Sequence, residues 1–371
     1  MRKILITTGI FPPDIGGPAS YVPRFGKFLA AKGLAVKVIT LSDLKSEKNE
    51  KYPFQLLRIR RKITKPIRFL LTIAFMIHEM RKVQFVFSNG LYLETAIALK
   101  LGLFRGSSLV KIVGDPVWER KMNHKSGTRT DLDESNFAPS TLSEKIERRL
   151  ICWSLKQFDF VTTPGSSLAE KVEGWGRGVK VRVIHNGVSL SPKSTDFEPD
   201  YDLICVSRLV PWKNVEVVVS LALELDLSLA IIGDGPDFQK ISNQSKNSKK
   251  IHMFGSVSSE QILELLYKAK IFCQLSDYEG LSFSLLQAMA ASRPCLVSDI
   301  KANRDVFVSD QNAAVFAKVD DFEGLRRATL QLVEDEAKRM ELGERSYYIA
   351  KTFFDESEKM QQMMDLLVLH D

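Results

Sequence analysis

Apolar residues along the chain gather into short runs rich in β-branched side chains, separated by stretches in which they recur every three or four positions. The runs are Lys3–Thr8, Ala35–Leu41, Phe85–Ser88, Leu109–Val113, Phe160–Thr163 and Val181–His185, with helical periods between most of them, as at Tyr21–Lys32 and Leu93–Leu103. A polar, proline-containing stretch, Ser189–Asp200, breaks the pattern and reads as a linker. Strand-like runs then resume at Tyr201–Val206, Ser228–Gly233, Ile251–Phe254, Ile271–Leu275 and Cys295–Ser298, and the chain from Asp321 onward reads as helical. Continuous apolar strands with helical crossovers predict parallel sheets covered on both faces. The expected class is α/β, with two doubly wound, Rossmann-like domains. The first covers residues 1–188 and is rejoined by a C-terminal helix, 356–371, and the second covers 189–355. In such sheets ligands bind beyond the carboxyl ends of the strands, so informative residues are sought there.

Composition and charge refine this picture. At 371 residues with 44% apolar content, two sizeable cores are affordable. The longest apolar segment, Phe69–Ile77, is far short of the ~20 residues a membrane span needs. Met1-Arg-Lys runs straight into a strand, so no leader is expected. The cysteines (Cys152, Cys205, Cys273, Cys295) are scattered and read as buried thiols of a reducing compartment, which predicts a cytoplasmic protein. Charge is uneven: residues 1–185 carry a net +16 and the remainder −9. The N-terminal half is therefore expected to meet an anionic surface.

Candidate chemistry lies just past strands. After the first comes Gly16-Gly17 before a helix, where the backbone approaches a ligand closely and amides point at an anion. It is not a G-x-G-x-x-G, which argues against a dinucleotide and a Rossmann oxidoreductase. Val206-Ser-Arg-Leu-Val-Pro-Trp-Lys-Asn places Arg208 and Lys213 at a strand end, a pair suited to a diphosphate or to a solvated surface. Gly233-Asp-Gly-Pro is a tight turn. In the segment Ser276–Pro294 a glycine turn leads into a helix, so the amides near Ser284 and Leu285 are expected to be free for phosphate oxygens. Glu279 and Gln287 are placed to face the same ligand. A carboxylate beside a phosphate cradle points to hydroxyls, hence to a sugar or ribose.

Four of these pieces in register, F-P-P-x-x-G-G, V-S-R-L-x-x-x-K-N, G-D-G-P and E-G-L-S-x-S-L-L-Q-A-M-A, resemble the retaining glycosyltransferase family 4, also described as glycosyl transferases group 1. The resemblance implies a GT-B fold, two facing Rossmann-like domains with an interdomain cleft, and a nucleotide-diphosphate sugar as substrate. It implies Gly16 and Gly17 near the donor phosphates, Arg208 and Lys213 on the diphosphate leaving group, Glu279 on the transferred sugar, and Val257 beside the base. Two departures stand out: the family's E-x(7)-E reads Glu279…Gln287, and Asn303-Arg304-Asp305 replaces a common Gly-x-x-Glu. In the same family, G-D-x-x-W-E segments occupy the donor side, which makes Asp115 a candidate for contacting the sugar and Glu119 a second. The alternative for Asp115 is a helix N-cap. Asp131-Leu-Asp133 reads as solvated loop, and neither metal nor other cofactor is expected.

From Lys51 to His78 the chain has seven basic residues and no acidic one, followed by Phe69–Ile77, apolar nearly all round. Arg58, Arg60, Arg61, Lys62, Lys65 and Arg68 are the candidates for facing an anionic membrane, against an ordinary layer helix with a basic loop. Peripheral attachment to the inner face of the cytoplasmic membrane would suit a lipid-linked or glycan acceptor. Nucleic acid is not expected, because no aromatic residues are interleaved with the cations. The competing readings are a non-enzymatic partner subunit in which Gln287 records lost turnover, and a transferase for a soluble small-molecule acceptor.

Overall fold

A computed structural model describes residues 2–14, 16–44, 52–124, 139–190 and 198–368. The chain divides into two compact units. One holds Met1–Val117, Ala138–His185 and Ser357–Asp371; the other holds the stretch beginning at Trp118 and Asn186–Glu356.

The first unit runs β1 (Lys3–Thr8), α1 (Gly17–Ala31), β2 (Ala35–Leu41), β3 (Gln55–Ile59), α2 (Lys65–Met80), β4 (Phe85–Asn89), α3 (Tyr92–Leu101) and β5 (Ser107–Lys111). It continues with α4 (Pro116–His124), which leaves the unit at Trp118, then α5 (Leu142–Leu155), β6 (Phe160–Thr163), α6 (Ser166–Gly174) and β7 (Val181–Val183). Among the described residues its strands form one parallel sheet, ordered β3-β2-β1-β4-β5-β6-β7. Period-two alternation sends Leu5, Val86 and Val110 to one face, where α2, α3 and α5 cover them in a single core. Phe87 points to the other face and packs on Phe25 of α1, with ring centroids 5.0 Å apart.

The second unit runs β8 (Tyr201–Val206), α7 (Val215–Glu224), β9 (Leu229–Ile232), α8 (Phe238–Ser245), β10 (Ile251–Gly255), α9 (Ser259–Tyr267), β11 (Ala269–Gln274) and α10 (Phe283–Ala290). It ends with β12 (Cys295–Ser298), α11 (Lys301–Val306), β13 (Val315–Ala317), α12 (Phe322–Glu334) and α13 (Glu336–Phe353). Its sheet is again parallel, ordered β10-β9-β8-β11-β12-β13, with an apolar cluster on each face. The last helix, α14 (Glu356–Val368), returns to the first unit, where Met363 lies 3.9 Å from the Thr162 hydroxyl.

Two strands escaped the hydrophobic pattern, β3 and β13. Both are sheet edges, where only one side is hydrogen-bonded and the side chains are partly exposed, so the apolar run is short and diluted by polar residues. The order of each sheet reverses direction at one place, between β1 and β4 in the first unit and between β8 and β11 in the second. In doubly wound sheets ligands bind outside the carboxyl ends of the strands at such a reversal.

Candidate functional site

In the first unit, the loops after β1 and β4 meet at such a reversal. Gly90 has φ +114°, and a Cβ there would lie 2.9 Å from the Gly9 nitrogen, so the close approach depends on glycine. Gly16, at φ +145°, caps α1, whose first residue is Gly17; a Cβ on Gly17 would meet nothing within 4 Å. The loop between is braced by arginines from the following strand and turn. Arg61 pairs with Asp14 and donates to the Gly9 carbonyl at 3.2 Å. Arg58 donates to the Pro12 carbonyl at 2.8 Å and to the Ser42 hydroxyl at 3.1 Å, and Arg68 donates to the Arg61 carbonyl. The Arg61 guanidinium holds the Asp14 carboxyl below its usual range.

These contacts correct half of the basic surface read from the sequence. Arg58, Arg61 and Arg68 are half-buried and hydrogen-bond loop carbonyls, a guanidinium reaching several acceptors at once. Arg60, Lys62 and Lys65 remain exposed, and their side chains have no partner among the described residues. Lys51 of the same run, and Asp131 and Asp133, lie outside the described residues.

Asp115 is 1% exposed and its carboxylate accepts twice from Arg148, at 2.6 and 2.8 Å, and once from the Val117 amide at 3.1 Å. The carboxylate thereby satisfies the start of α4 and neutralises a buried guanidinium, the N-cap alternative extended by an ion pair. Two buried polar groups in this unit were not anticipated. Asn89, at the end of β4, is fully buried, and neither carboxamide atom has a hydrogen-bond partner among the described residues. Lys111, at the end of the adjacent strand β5, is 1% exposed with its ammonium 3.9 Å from the centre of the Tyr21 ring, and burial pushes its pKa down to about 7. Neither sits in a motif, so no sequence signal marked them.

In the second unit the loops at the strand ends are held by backbone clasps. Past β8, the Ser207 and Leu209 amides donate to the Ile232 and Asp234 carbonyls at 3.0 and 2.9 Å, and the Leu209 carbonyl accepts from the Asp237 amide at 3.0 Å. The two loops run so close that a Cβ on Gly233, at φ +133°, would stand 1.8 Å from the Ser207 oxygen. The G-D-G-P turn is thus what holds the Arg208 loop. Further on, Asn214 adopts the left-handed conformation at φ 49° and donates from its side-chain Nδ2 to the Leu275 carbonyl at 2.8 Å and the Asp277 carboxylate at 2.7 Å. The Asp277 amide returns a bond to the Trp212 carbonyl at 2.9 Å. These cross-links join the loops of β8 and β11 and bring Lys213 onto Glu279, an ion pair whose side chains are only 16% and 8% exposed.

Arg208 is more open, 44% exposed, and rests with its guanidinium carbon 5.4 Å from the centre of the Trp212 ring while pairing with Glu119 at 3.4 Å. Trp118 packs edge-on against Trp212, centroids 5.2 Å apart, and against Tyr278 at 4.7 Å. This aromatic cluster, with Met122 and Val210, is why α4 beyond Val117 belongs with the second unit although the sequence reading kept it in the first. At α10, Ser282 caps the helix and takes the Leu285 amide at 3.2 Å, while its hydroxyl lies 2.9 Å from that of Ser284. The expectation of a free Leu285 amide is therefore corrected: the N-cap side chain satisfies it, leaving the first-turn amides of Phe283 and Ser284 without an intrahelical acceptor. Val257 lies past β10, partly buried against the core.

Residues 189–348 match the family model described as glycosyl transferases group 1. That match lies within the second unit, Asn186–Glu356. Similarity extends to named relatives. The chain is 26% identical over 217 residues to N-acetyl-alpha-D-glucosaminyl L-malate synthase of Bacillus anthracis, a stretch covering 53% of this chain and 56% of that protein. It thus spans about half the length of that relative. Identity to the alpha-monoglucosyldiacylglycerol synthase of Acholeplasma laidlawii is 24%, covering 85% of this chain and 84% of that one. Among solved structures, Anabaena HepE in complex with UDP-glucose superposes over 100% of both chains with a TM-score of 0.79 at 15% identity. The chain has the GT-B fold, two Rossmann-like domains each carrying a parallel sheet.

Within the matched residues, the two departures from the family pattern acquire positions. Gln287 is half-buried, one turn into α10, and its carboxamide has no partner among the described residues. Asn303 is buried and works as a strut, accepting from Gln274 at 3.2 Å and donating to the Ser298 carbonyl at 2.9 Å, so it ties the ends of β11 and β12 together. Arg304 pairs with Asp299 at 2.7 Å and stacks on Phe316. The domain's cysteines are buried thiols: burial pushes Cys205 up to about 11 and Cys295 to about 12.

Proposed function

We propose that the protein is a nucleotide-sugar-dependent, retaining glycosyltransferase of family 4 type. The observation that carries the reading is the convergence of Arg208, Lys213 and Glu279 at the carboxyl ends of β8 and β11, held there by glycine and asparagine clasps. Two cations at one strand-end crevice match the charge of a diphosphate, and a carboxylate beside them suits sugar hydroxyls. In the transfer, the bond between the anomeric carbon and the diphosphate oxygen breaks. The acceptor oxygen bonds to that carbon, and the acceptor proton passes to the departing phosphate oxygen on the same face. Arg208 and Lys213 stabilise the charge that gathers on the leaving group, so no metal enters the scheme. Gln287 accepts from the ribose hydroxyls without the charge assistance of a glutamate, and Val257 offers its backbone to the base.

The acceptor in this reading is a hydroxyl on a lipid-linked glycan, with the protein peripheral on the cytoplasmic membrane. The relative that makes monoglucosyldiacylglycerol is consistent with such an acceptor class. The test is a thermal-shift screen of the full chain with nucleoside diphosphates and their sugars, followed by donor hydrolysis with the responding sugar. One nucleoside diphosphate should raise the melting temperature, and Arg208→Ala, an exposed change, should remove that shift without altering the unliganded melt. A wild-type response retained by Arg208→Ala, or no response to any diphosphate, overturns the assignment.

A further inference from the structure

The outward side of α2 carries a row of apolar residues that the core does not use. Thr72, Ile73, Met76, Glu79 and Met80 are buried, which accounts for the inner face. On the opposite side Ile67, Leu70, Leu71 and Phe75 are 56%, 66%, 38% and 43% exposed, with Ala74 between them. Their spacing, three and four residues apart, makes one continuous stripe along the helix. Exposed apolar residues scattered singly need no explanation, but an aligned set does. At the amino end of the stripe stand Arg60, Lys62 and Lys65, all exposed, their side chains without a partner among the described residues, beside one exposed carboxylate, Asp43, which accepts from the Lys62 amide at 3.1 Å. The one acidic residue of α2, Glu79, is buried and neutralised by Lys37 at 2.9 Å and Lys82 at 3.1 Å.

The pattern recurs on the same layer. α3 packs between α2 and α5, and all three cover the same sheet face. On α5, Leu142, Ile146 and Leu150 are 74%, 48% and 43% exposed at four-residue intervals, with the exposed cations Lys145 and Arg149 among them.

We infer that this helical layer is a docking surface for an anionic lipid bilayer, with the apolar stripe of α2 entering the headgroup region and Arg60, Lys62 and Lys65 meeting lipid phosphates. The inference deepens the proposed lipid-linked acceptor but stands on geometry of its own. Three occupants compete, and charge separates them. A second copy of the chain meeting this face across a two-fold axis would set one basic cluster against the other. A nucleic acid would leave the leucines and isoleucines without a stacking partner, since only Phe75 in the stripe is aromatic. An anionic bilayer supplies negative charge at its surface and an apolar phase just beneath, the two things this face lacks.

The experiment is co-sedimentation of the full chain with vesicles of phosphatidylcholine alone and with added phosphatidylglycerol, at low and high salt. Wild type should pellet with the phosphatidylglycerol vesicles and be partly released by salt. Arg60→Ser/Lys62→Ser/Lys65→Ser should weaken that partitioning on the order of 100-fold, at about one kcal/mol per cation, and abolish most of its salt dependence. Leu70→Ser/Phe75→Ser should weaken binding while keeping the salt dependence. Lys246→Ser/Lys249→Ser, on the second unit, should bind as wild type. All these side chains are exposed, and an unchanged melting curve and an unchanged response to nucleoside diphosphate establish that each variant is folded. Equal pelleting of wild type and both α2 variants, no pelleting of wild type, or an equal loss in the second-unit control overturns the inference. So does a concentration-dependent dimer dissolved by Leu70→Ser/Phe75→Ser, which assigns the face to self-association. Because vesicle binding and the response to nucleoside diphosphate are read separately, failure of one leaves the other intact.

Discussion

Lys213 carries two burdens that one pair of variants separates. It holds a buried carboxylate, and in the proposed reaction it meets the leaving diphosphate. Lys213→Met keeps the length of the side chain and removes the charge, stranding the Glu279 carboxylate with its side chain only 8% exposed. Removing one partner of a buried pair costs about 3–5 kcal/mol, mostly the desolvation of the charge left behind. For a domain of 150–250 residues, each kcal/mol lowers the melting temperature by about 2–4 °C. The second unit should therefore melt roughly 10–15 °C lower. Replacing both charges with apolar side chains is commonly neutral or stabilising, so Lys213→Met/Glu279→Leu should recover most of that loss. Activity should not follow. A cation at the leaving group is worth ~3 kcal/mol or more, so transfer should fall by at least about 100-fold in both variants and stay down in the double. The assays are calorimetric melting, analysed as a double-mutant cycle, and initial rates of donor turnover. A single variant that melts like wild type would show that the pair is not a structural element. A double variant that regains activity along with stability would sink the catalytic role.

Three further outcomes follow from particular geometries. Gly233→Ala forces a Cβ to 1.8 Å from the Ser207 carbonyl at a φ that alanine resists, so the clasp of the Arg208 loop should open at a cost of about 3 kcal/mol or more; chemical denaturation showing under 1 kcal/mol would contradict the clasp. Lys111 is buried and its pKa is depressed to about 7, so the unfolded state binds more protons between that pH and the ordinary lysine value, and stability should rise with pH across the window. Lys111→Met should raise the melting temperature most at pH 6, where the charge is buried at full cost, and progressively less toward pH 10; a pH-independent difference would refute the assignment. Gln287→Glu, at a half-buried position with no competing partner, should leave turnover unchanged or lower KM for the donor, and loss of donor binding in titration calorimetry would show a pocket adapted to the neutral amide.

Sequence alone determined the parts whose cause is local. Strand and helix periods gave the two α/β units, because burial on both faces of a parallel sheet demands uninterrupted apolar runs, and the reading failed only at the edges β3 and β13, where that demand lapses. The motif residues past β8 and β11 were legible for the same reason: a cation at a strand end is visible in the chain wherever the strand is. What the chain does not show is which polar group each charge meets. Six arginines and lysines read as one basic surface, yet Arg58, Arg61 and Arg68 answer the carbonyls of a loop more than forty residues away or of their own turn, and only tertiary contact could divide them from Arg60, Lys62 and Lys65. Asp115 looked equally suited to a ligand and to a helix start until Arg148, 33 residues on, arrived beside it. Trp118 joined the second unit because Trp212 and Tyr278 offered more aromatic contact than its neighbours in sequence. Apolar burial is a property of periodicity and can be read along a line, whereas a charge is defined by its partner, and partners are chosen in three dimensions.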